Sequence, residues 1–220
     1  MEVEAGLASA HSPSWSVLLI GGASGTGKST VARQIGRDLG MPWYQVDDLR
    51  LALQWMEASL PAETEALQYF AHIEEKPHIW KQPPEALCGM LIAVGHMLRP
   101  AIAAIIDNHI SQNNPIVIEG DGILPSLLDH RHVGLHVETG KVSRIVLAEP
   151  DQATLLANMR ERNRGQGYMT DADVTTEARA KWLFAEWLAQ EAARRNVPVV
   201  ESRPWEALVR RVLDAASRSY

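Results

Sequence analysis

Short apolar runs closed by glycine, acid or proline alternate along this chain with stretches whose apolar residues recur at helical spacing. Ser16–Ile20 ends in Gly21-Gly22 and predicts a strand buried on both faces. Lys28–Leu39 carries Val31, Ile35 and Leu39 on one helical face and is closed by Gly40. Met41–Val46 predicts a second strand, ending at Asp47-Asp48. Leu49–Met56 and Glu63–Ile73 read as helices separated by Pro61. Pro83-Pro84 then opens a long apolar helix to Ile110, with a kink expected at Pro100. Pro115–Glu119 is a third strand, followed by Gly120-Asp121-Gly122.

In the second half, Pro125–His130 reads as a short helical piece. Leu135–Glu138 and Val142–Leu147 are expected to pair as a hairpin through Thr139-Gly140. Helices follow over Gln152–Asn163, Glu177–Arg195 and Trp205–Ala216, with a loop at Arg164–Tyr168 and a last strand at Val197–Val200. Strands alternating with helices predict an α/β fold with a mainly parallel sheet and helices on both faces.

Composition narrows the picture. A chain of 220 residues, 46% hydrophobic and 22% charged, suits one domain with its own core. The single cysteine, Cys88, leaves no intramolecular disulfide or cysteine-built zinc cluster and agrees with a reducing cytoplasm. Twenty-one Lys+Arg against 27 Asp+Glu give a net charge of −6, which argues against long nucleic acid as a partner but leaves room for a local basic site. Residues 1–14 read as a frayed tail, because Glu2 and Glu4 stand where a signal peptide would carry cations. Leu87–Ile106 is interrupted by Gly89, Gly95, His96, Arg99 and Pro100, and is expected to be a buried helix with no membrane partner. Whether the chain is a monomer or a homodimer is left open.

The most specific chemistry lies in Gly22-Ala23-Ser24-Gly25-Thr26-Gly27-Lys28-Ser29, which matches G-x-x-x-x-G-K-[ST] at every fixed position. Glycines let the backbone curl so that successive N–H groups point inward at an anion. The helix that follows adds the positive end of its dipole. Lys28 is expected to reach the β- and γ-phosphates of a nucleotide, Ser29 to bind Mg²⁺, and Thr30 to complete the nucleotide contact. The motif follows a predicted strand and opens a predicted helix, which is the context it requires. No guanine-reading N-K-x-D or D-x-x-G switch is present, so a GTPase is disfavoured and ATP is the expected nucleotide. The third strand ends in Glu119 where many motor and transporter ATPases end in Asp.

Beyond this loop, Gln45-Val46-Asp47-Asp48-Leu49-Arg50 stands at the end of the second strand. Together these motifs resemble the small P-loop kinases that phosphorylate hydroxyl groups. Examples are 2-phosphoglycerate kinase, gluconate and shikimate kinases, chloramphenicol phosphotransferase and the kinase domain of polynucleotide kinases. The resemblance spans residues 15–215 and is most specific at the phosphate loop. It implies a three-layer α/β/α P-loop fold with five strands in the spatial order second, third, first, fourth, fifth. It also implies that Asp47, with Asp48 as fallback, binds the acceptor hydroxyl as base, and that Arg50 contacts substrate phosphate. Pro115–Pro125 resembles the V-I-E-G strand and following loop of 2-phosphoglycerate kinase, although Asp121 and Gly122 depart from it. A helical region at residues 51–112 would cover the acceptor, and residues 160–172 would form a lid.

In-line phosphoryl transfer needs an acceptor oxygen near the γ-phosphate, a group to take its proton, and cations over the developing charge. Asp47 is the expected base, against the plainer reading that it caps the helix beginning at Leu49. Glu119 would hold Mg²⁺ through water, and Asp121 would share the metal or touch substrate. Arg160 and Arg164 fall on one helical face, where lid arginines clamp the transferring group in nucleoside-monophosphate-type kinases; the plainer reading is a solvated basic helix end. Arg203-Pro204 resembles the adenine-adjacent turn of these kinases. The rival functions are a nucleoside or polynucleotide-end kinase and a slowly hydrolysing ATP-dependent switch.

Other features read as structural. Asp129, His130, His132 and His136 have metal-like spacing, yet no predicted scaffold joins them. Trp182, Leu183, Trp187 and Leu188 fit helix packing. Leu91, Val94, Leu98 and Ile102 line a core face rather than a ligand pocket, and His96 is expected to be a hydrogen-bonded core residue.

Overall fold

The computed structural model of the chain describes residues 13–55, 65–162 and 167–218. Five strands, β1 (Val17–Gly22), β2 (Trp43–Gln45), β3 (Ile116–Glu119), β4 (Val142–Ala148) and β5 (Val199–Glu201), form one sheet in the order β2-β3-β1-β4-β5. Every pairing is parallel. This is the expected order, and the crossovers between parallel neighbours are carried by helices.

Alternation along the strands builds the three layers. Val17 and Leu19 of β1, with Ile116 and Ile118 of β3, face one side. There they meet α2 (Val46–Trp55) and the long α4 (Pro84–Ser111), whose Leu98, Ile102 and Ile106 are buried. Leu18 and Ile20 of β1 and Val117 of β3 face the other side, against α1 (Lys28–Leu39) and α8 (Leu208–Ser217). Trp15 joins this second layer at 3% exposure, so the ordered core begins directly after the expected tail, of which residues 1–12 lie outside the described residues.

α1 buries Val31, Ala32 and Ile35 and stops at Gly40, whose φ of 65° lets its N–H turn back to the carbonyls of Gly36 and Arg37. Between α2 and α4 lie a short α3 (Glu65–Tyr69) and 3₁₀ turns at Ile73–Glu75 and Pro77–Lys81. The longer helix expected over Glu63–Ile73 is therefore cut to one turn, and Glu63 itself lies outside the described residues. α4 is assigned as one helix through Pro100. By length and composition alone it would be long and apolar enough to cross a membrane, with a mean hydropathy of 1.7 over its most apolar window.

Two expectations are overturned. Leu135–Glu138 belongs to a helix, α5 (Arg131–Glu138), not to a hairpin strand. The alternation of Leu135 and Val137 misleads, because the pair that meets the core is Val133 and Val137 at helical spacing, while Leu135 stays 51% exposed. His96 is exposed on α4 rather than buried. His132 and His136 also gain a scaffold: both sit on α5 and bond opposite oxygens of Asp107 on α4, at 2.6 and 2.7 Å.

The remaining helices are α6 (Gln152–Glu161) and α7 (Asp171–Arg194). α7 starts earlier than the sequence suggests because Thr170 and Asp173 form a reciprocal capping box.

Candidate active site

The register of the sheet assembles the site. Ile20 of β1 and Gln45 of β2 both pair with Glu119 of β3, so three strand ends form one row. The residues that follow are the phosphate loop, Asp47 at the start of α2, and Gly120-Asp121-Gly122. All lie at the carboxyl edge of a parallel sheet, where open α/β folds bind ligands.

The phosphate loop turns through left-handed glycines at Gly25 (φ 93°) and Gly27 (φ 85°). Gly27 is doubly constrained, since a Cβ there would lie 2.3 Å from Cζ3 of Trp205. The loop is braced by its neighbours. Thr26 Oγ1 and Lys28 Nζ both donate to the Ala23 carbonyl at 2.9 Å. Asn158 of α6 donates to the Gly25 carbonyl at 3.0 Å, and the Ser202 hydroxyl after β5 donates to the Thr26 carbonyl at 2.8 Å.

Asp121 is the hub of the charged cluster. Its Oδ1 accepts Lys28 at 2.7 Å, and its Oδ2 accepts Lys181 of α7 at 2.7 Å and Ser24 at 2.8 Å. Burial alone would raise its pKa, but the two ammonium groups outweigh that and hold the carboxyl far below the usual range. Gly122 beside it permits a close approach: a Cβ there would stand 2.9 Å from Cδ1 of Leu98. Glu119 is buried, and its Oε1 accepts the Ser29 hydroxyl at 2.7 Å. Burial pushes its pKa up against the opposing pull of Lys28 and the Ser29 hydrogen bond, with Asp121 and Asp47 adding to the rise.

Two cavities flank the loop. One, of about 590 Å³, is lined by Gly25, Gly27, Thr30, Arg162, Arg203 and Trp205 among others. Arg203 stacks on Trp205, its guanidinium 5.0 Å from the ring centroid. The other, of about 140 Å³, brings Ser24 of the loop together with Asp47, Arg50, Asp121 and Lys181. Asp47 Oδ1 accepts Arg50 Nε at 3.2 Å, and Arg50 Nη1 donates to the buried Gln54 at 2.9 Å.

Of the residues anticipated from sequence, Gly22–Thr30, Asp47, Arg50, Glu119 and Asp121 converge on the strand ends, and Arg203 lines the larger cavity. Arg160 does not join them: it pairs with Asp171 at 2.7 Å, both side chains being largely exposed. Arg162, one turn end further on, lines the cavity instead. Arg164 lies outside the described residues. Leu91, Val94 and Leu98 correct the core-only expectation, because they also wall the smaller cavity.

Lys181, Asn158 and Ser202 were not anticipated. Lys181 left a readable signal. Val174, Ala178, Ala185, Leu188 and Ala192 are the buried stripe of α7, and Lys181 falls within it as a charged interruption. Asn158 and Ser202 act on backbone carbonyls and carry no such mark.

The donor set at Ser29 and Glu119, a hydroxyl beside a buried carboxylate at the mouth of an anion-binding loop, suits a hard divalent cation such as Mg²⁺.

No protein-family model matches the chain. Among curated proteins, 2-phosphoglycerate kinase of Methanococcus maripaludis is 21% identical over 214 residues, covering 93% of this chain. The chain spans 65% of the length of that relative. A gluconokinase from Sinorhizobium meliloti superposes with a TM-score of 0.49 at 18% identity, over 94% of each chain. Shikimate kinase from Aquifex aeolicus gives 0.44 at 14% identity, over 90% of this chain and 95% of its own.

Proposed function

We propose that this chain is an ATP-dependent phosphotransferase that moves the γ-phosphate to a hydroxyl group of a small molecule. The observation that supports this reading is the smaller cavity, whose lining includes both the Asp47 carboxylate and Ser24 of the phosphate loop. A nucleotide switch has no need of such a cavity. The likeness to a curated hydroxyl-directed kinase supports it.

In this reading the nucleoside lies in the larger cavity, with Arg162, Arg203 and Trp205 around the base, and the triphosphate enters the loop. Lys28 exchanges Asp121 for phosphate oxygens. Ser29 and Glu119 would hold Mg²⁺, which when bound would neutralise phosphate charge. The acceptor hydroxyl donates to Asp47, on Oδ2, the oxygen that Arg50 does not touch. The acceptor oxygen bonds to the γ-phosphorus as the bond to the bridging oxygen breaks, ADP departs with that electron pair, and the hydroxyl proton passes to Asp47. Lys28 and Lys181 cover the charge on the transferring group. α2, α3 and α4 cover the acceptor side, while the lid expected at 160–172 includes residues 163–166, which lie outside the described residues.

The test is product chemistry. With ATP, Mg²⁺ and a panel of small alcohols, phosphorus NMR should find a phosphomonoester in one-to-one ratio with ADP. Release of ADP with inorganic phosphate alone, whatever the alcohol, would overturn the transferase reading.

A further inference from the structure

The smaller cavity also carries information about the acceptor, and this inference rests on the transferase reading above. Its charged lining residues among those described are Asp47, Arg50, Asp121, Glu177 and Lys181, and Lys28 bonds Asp121 from the loop side. Both cations are already engaged. Lys181 bonds Asp121 at 2.7 Å. Arg50 is fixed by Asp47 and by Gln54, which itself donates to the Leu67 carbonyl at 2.6 Å. A phosphorylated or carboxylated acceptor needs an uncommitted, preferably bidentate, cationic fork. Here Lys181 is shared between Asp121 and the transferring group, and Arg50 between Asp47 and Gln54.

Apart from the hydroxyls of Ser24 and Tyr168, the remaining wall is hydrocarbon and aromatic. Leu87, Leu91, Val94 and Leu98 of α4 line it together with Phe70 and Trp80 from the segment between α3 and α4. Trp80 and Leu87 pack together in their own apolar cluster. Along the Leu87–Leu98 face a polyol or sugar acid would leave hydroxyls unpaired, which is costly, whereas an apolar body would be drawn out of water.

We propose that the acceptor is an uncharged alcohol whose hydroxyl is borne on an aromatic or alicyclic hydrocarbon body. The hydroxyl meets Asp47 at the polar end, and the body lies along α4 against Trp80. The bond changes are those of the transfer itself: the alcohol oxygen joins the γ-phosphorus, ADP leaves, and the proton goes to Asp47.

The experiment compares 3-phenyl-1-propanol and cyclohexylmethanol with 2-phosphoglycerate, gluconate and shikimate, using the full chain with ATP and Mg²⁺. Transfer is followed as phosphomonoester formed, and binding as saturable tryptophan-fluorescence change in wild type and in Leu91→Asn. Leu91 is only partly buried, at the margin of the cluster around Phe184 and Leu188, and a melt of Leu91→Asn confirms that the variant is folded. The apolar alcohols should be phosphorylated with kcat/KM at least tenfold above every anionic probe, and Leu91→Asn should lower that value at least tenfold at unchanged ATP affinity. A higher kcat/KM for an anionic probe would overturn the acceptor class and leave the transferase reading intact. Leu91-sensitive binding of the apolar alcohols without transfer to any probe would support the acceptor pocket and remove the transferase reading. Absence of both binding and transfer for the apolar alcohols would overturn the proposal.

Discussion

Lys28 and Lys181 grip opposite oxygens of one carboxylate, that of Asp121, each at 2.7 Å. One lysine opens the helix after the phosphate loop, and the other reaches in from α7, far along the chain. Both side chains are 7% exposed, so the pair is shielded from solvent and from salt. Asp121 thus orders two cations beside the loop and offsets their mutual repulsion.

Lys181 separates a structural from a chemical role. Lys181→Met should lower kcat by about 10²–10³-fold, the scale of removing one electrostatic stabiliser of the transition state. The nucleotide dissociation constant should change less than about threefold, because Lys28 and the loop amides remain. Lys181→Arg should restore part of the rate. Steady-state kinetics beside calorimetric ATP binding checks this, and a purely structural lysine would leave kcat per folded molecule unaltered.

Gly27 cannot be replaced. Its φ of 85° alone costs about 1–3 kcal/mol for alanine, and the new Cβ would also run into Trp205. Gly27→Ala should lower the melting temperature and weaken ADP binding together. Trp205→Leu in that background should recover only the steric share. Thermal melts with and without ADP read both effects, and a wild-type melt for Gly27→Ala would contradict the loop geometry.

The start of α7 gives a pH-dependent prediction. Hydrogen bonds from Lys81 and Thr170 hold the Asp173 carboxyl at about 2, below the ordinary 3.8. A carboxyl whose folded pKa is depressed adds stability that is complete above its unfolded value and is lost as pH falls toward the folded one. Asp173→Asn should therefore cost about 2 kcal/mol at pH 7, and roughly half of that at pH 3. Urea unfolding of both proteins at the two pH values measures it; a gap that widens in acid would contradict the assignment.

The fold was legible because β1, β3 and the helix faces of α1 and α4 carry long, regular apolar patterns. The site was legible where the chemistry is local, as in Gly22–Ser29, or stands at a strand end, as Asp47 and Glu119 do. It was not legible where distant elements meet. Lys181 acquires its meaning only when α7 packs across the loop after β3, and Leu91, Val94 and Leu98 of α4 wall a cavity only when Phe70 and Trp80 join them. α5 was missed because Leu135 and Val137 mimic strand alternation over four residues, too short a window to tell the two periods apart. The lid arginines show the same limit. Helical spacing paired Arg160 with Arg164, whereas the fold turns Arg160 toward Asp171 and leaves Arg162 lining the larger cavity.

The central claim, that Asp47 takes the proton of an acceptor hydroxyl during transfer from ATP, is tested most directly by Asp47→Asn. The amide keeps the side chain's shape and an acceptor oxygen for Arg50, but it cannot take up a proton. The account predicts phosphomonoester formation reduced by about 10²–10⁴-fold, the range of a general base, with ATP affinity and melting temperature close to wild type. Transfer at the wild-type rate by Asp47→Asn would contradict it.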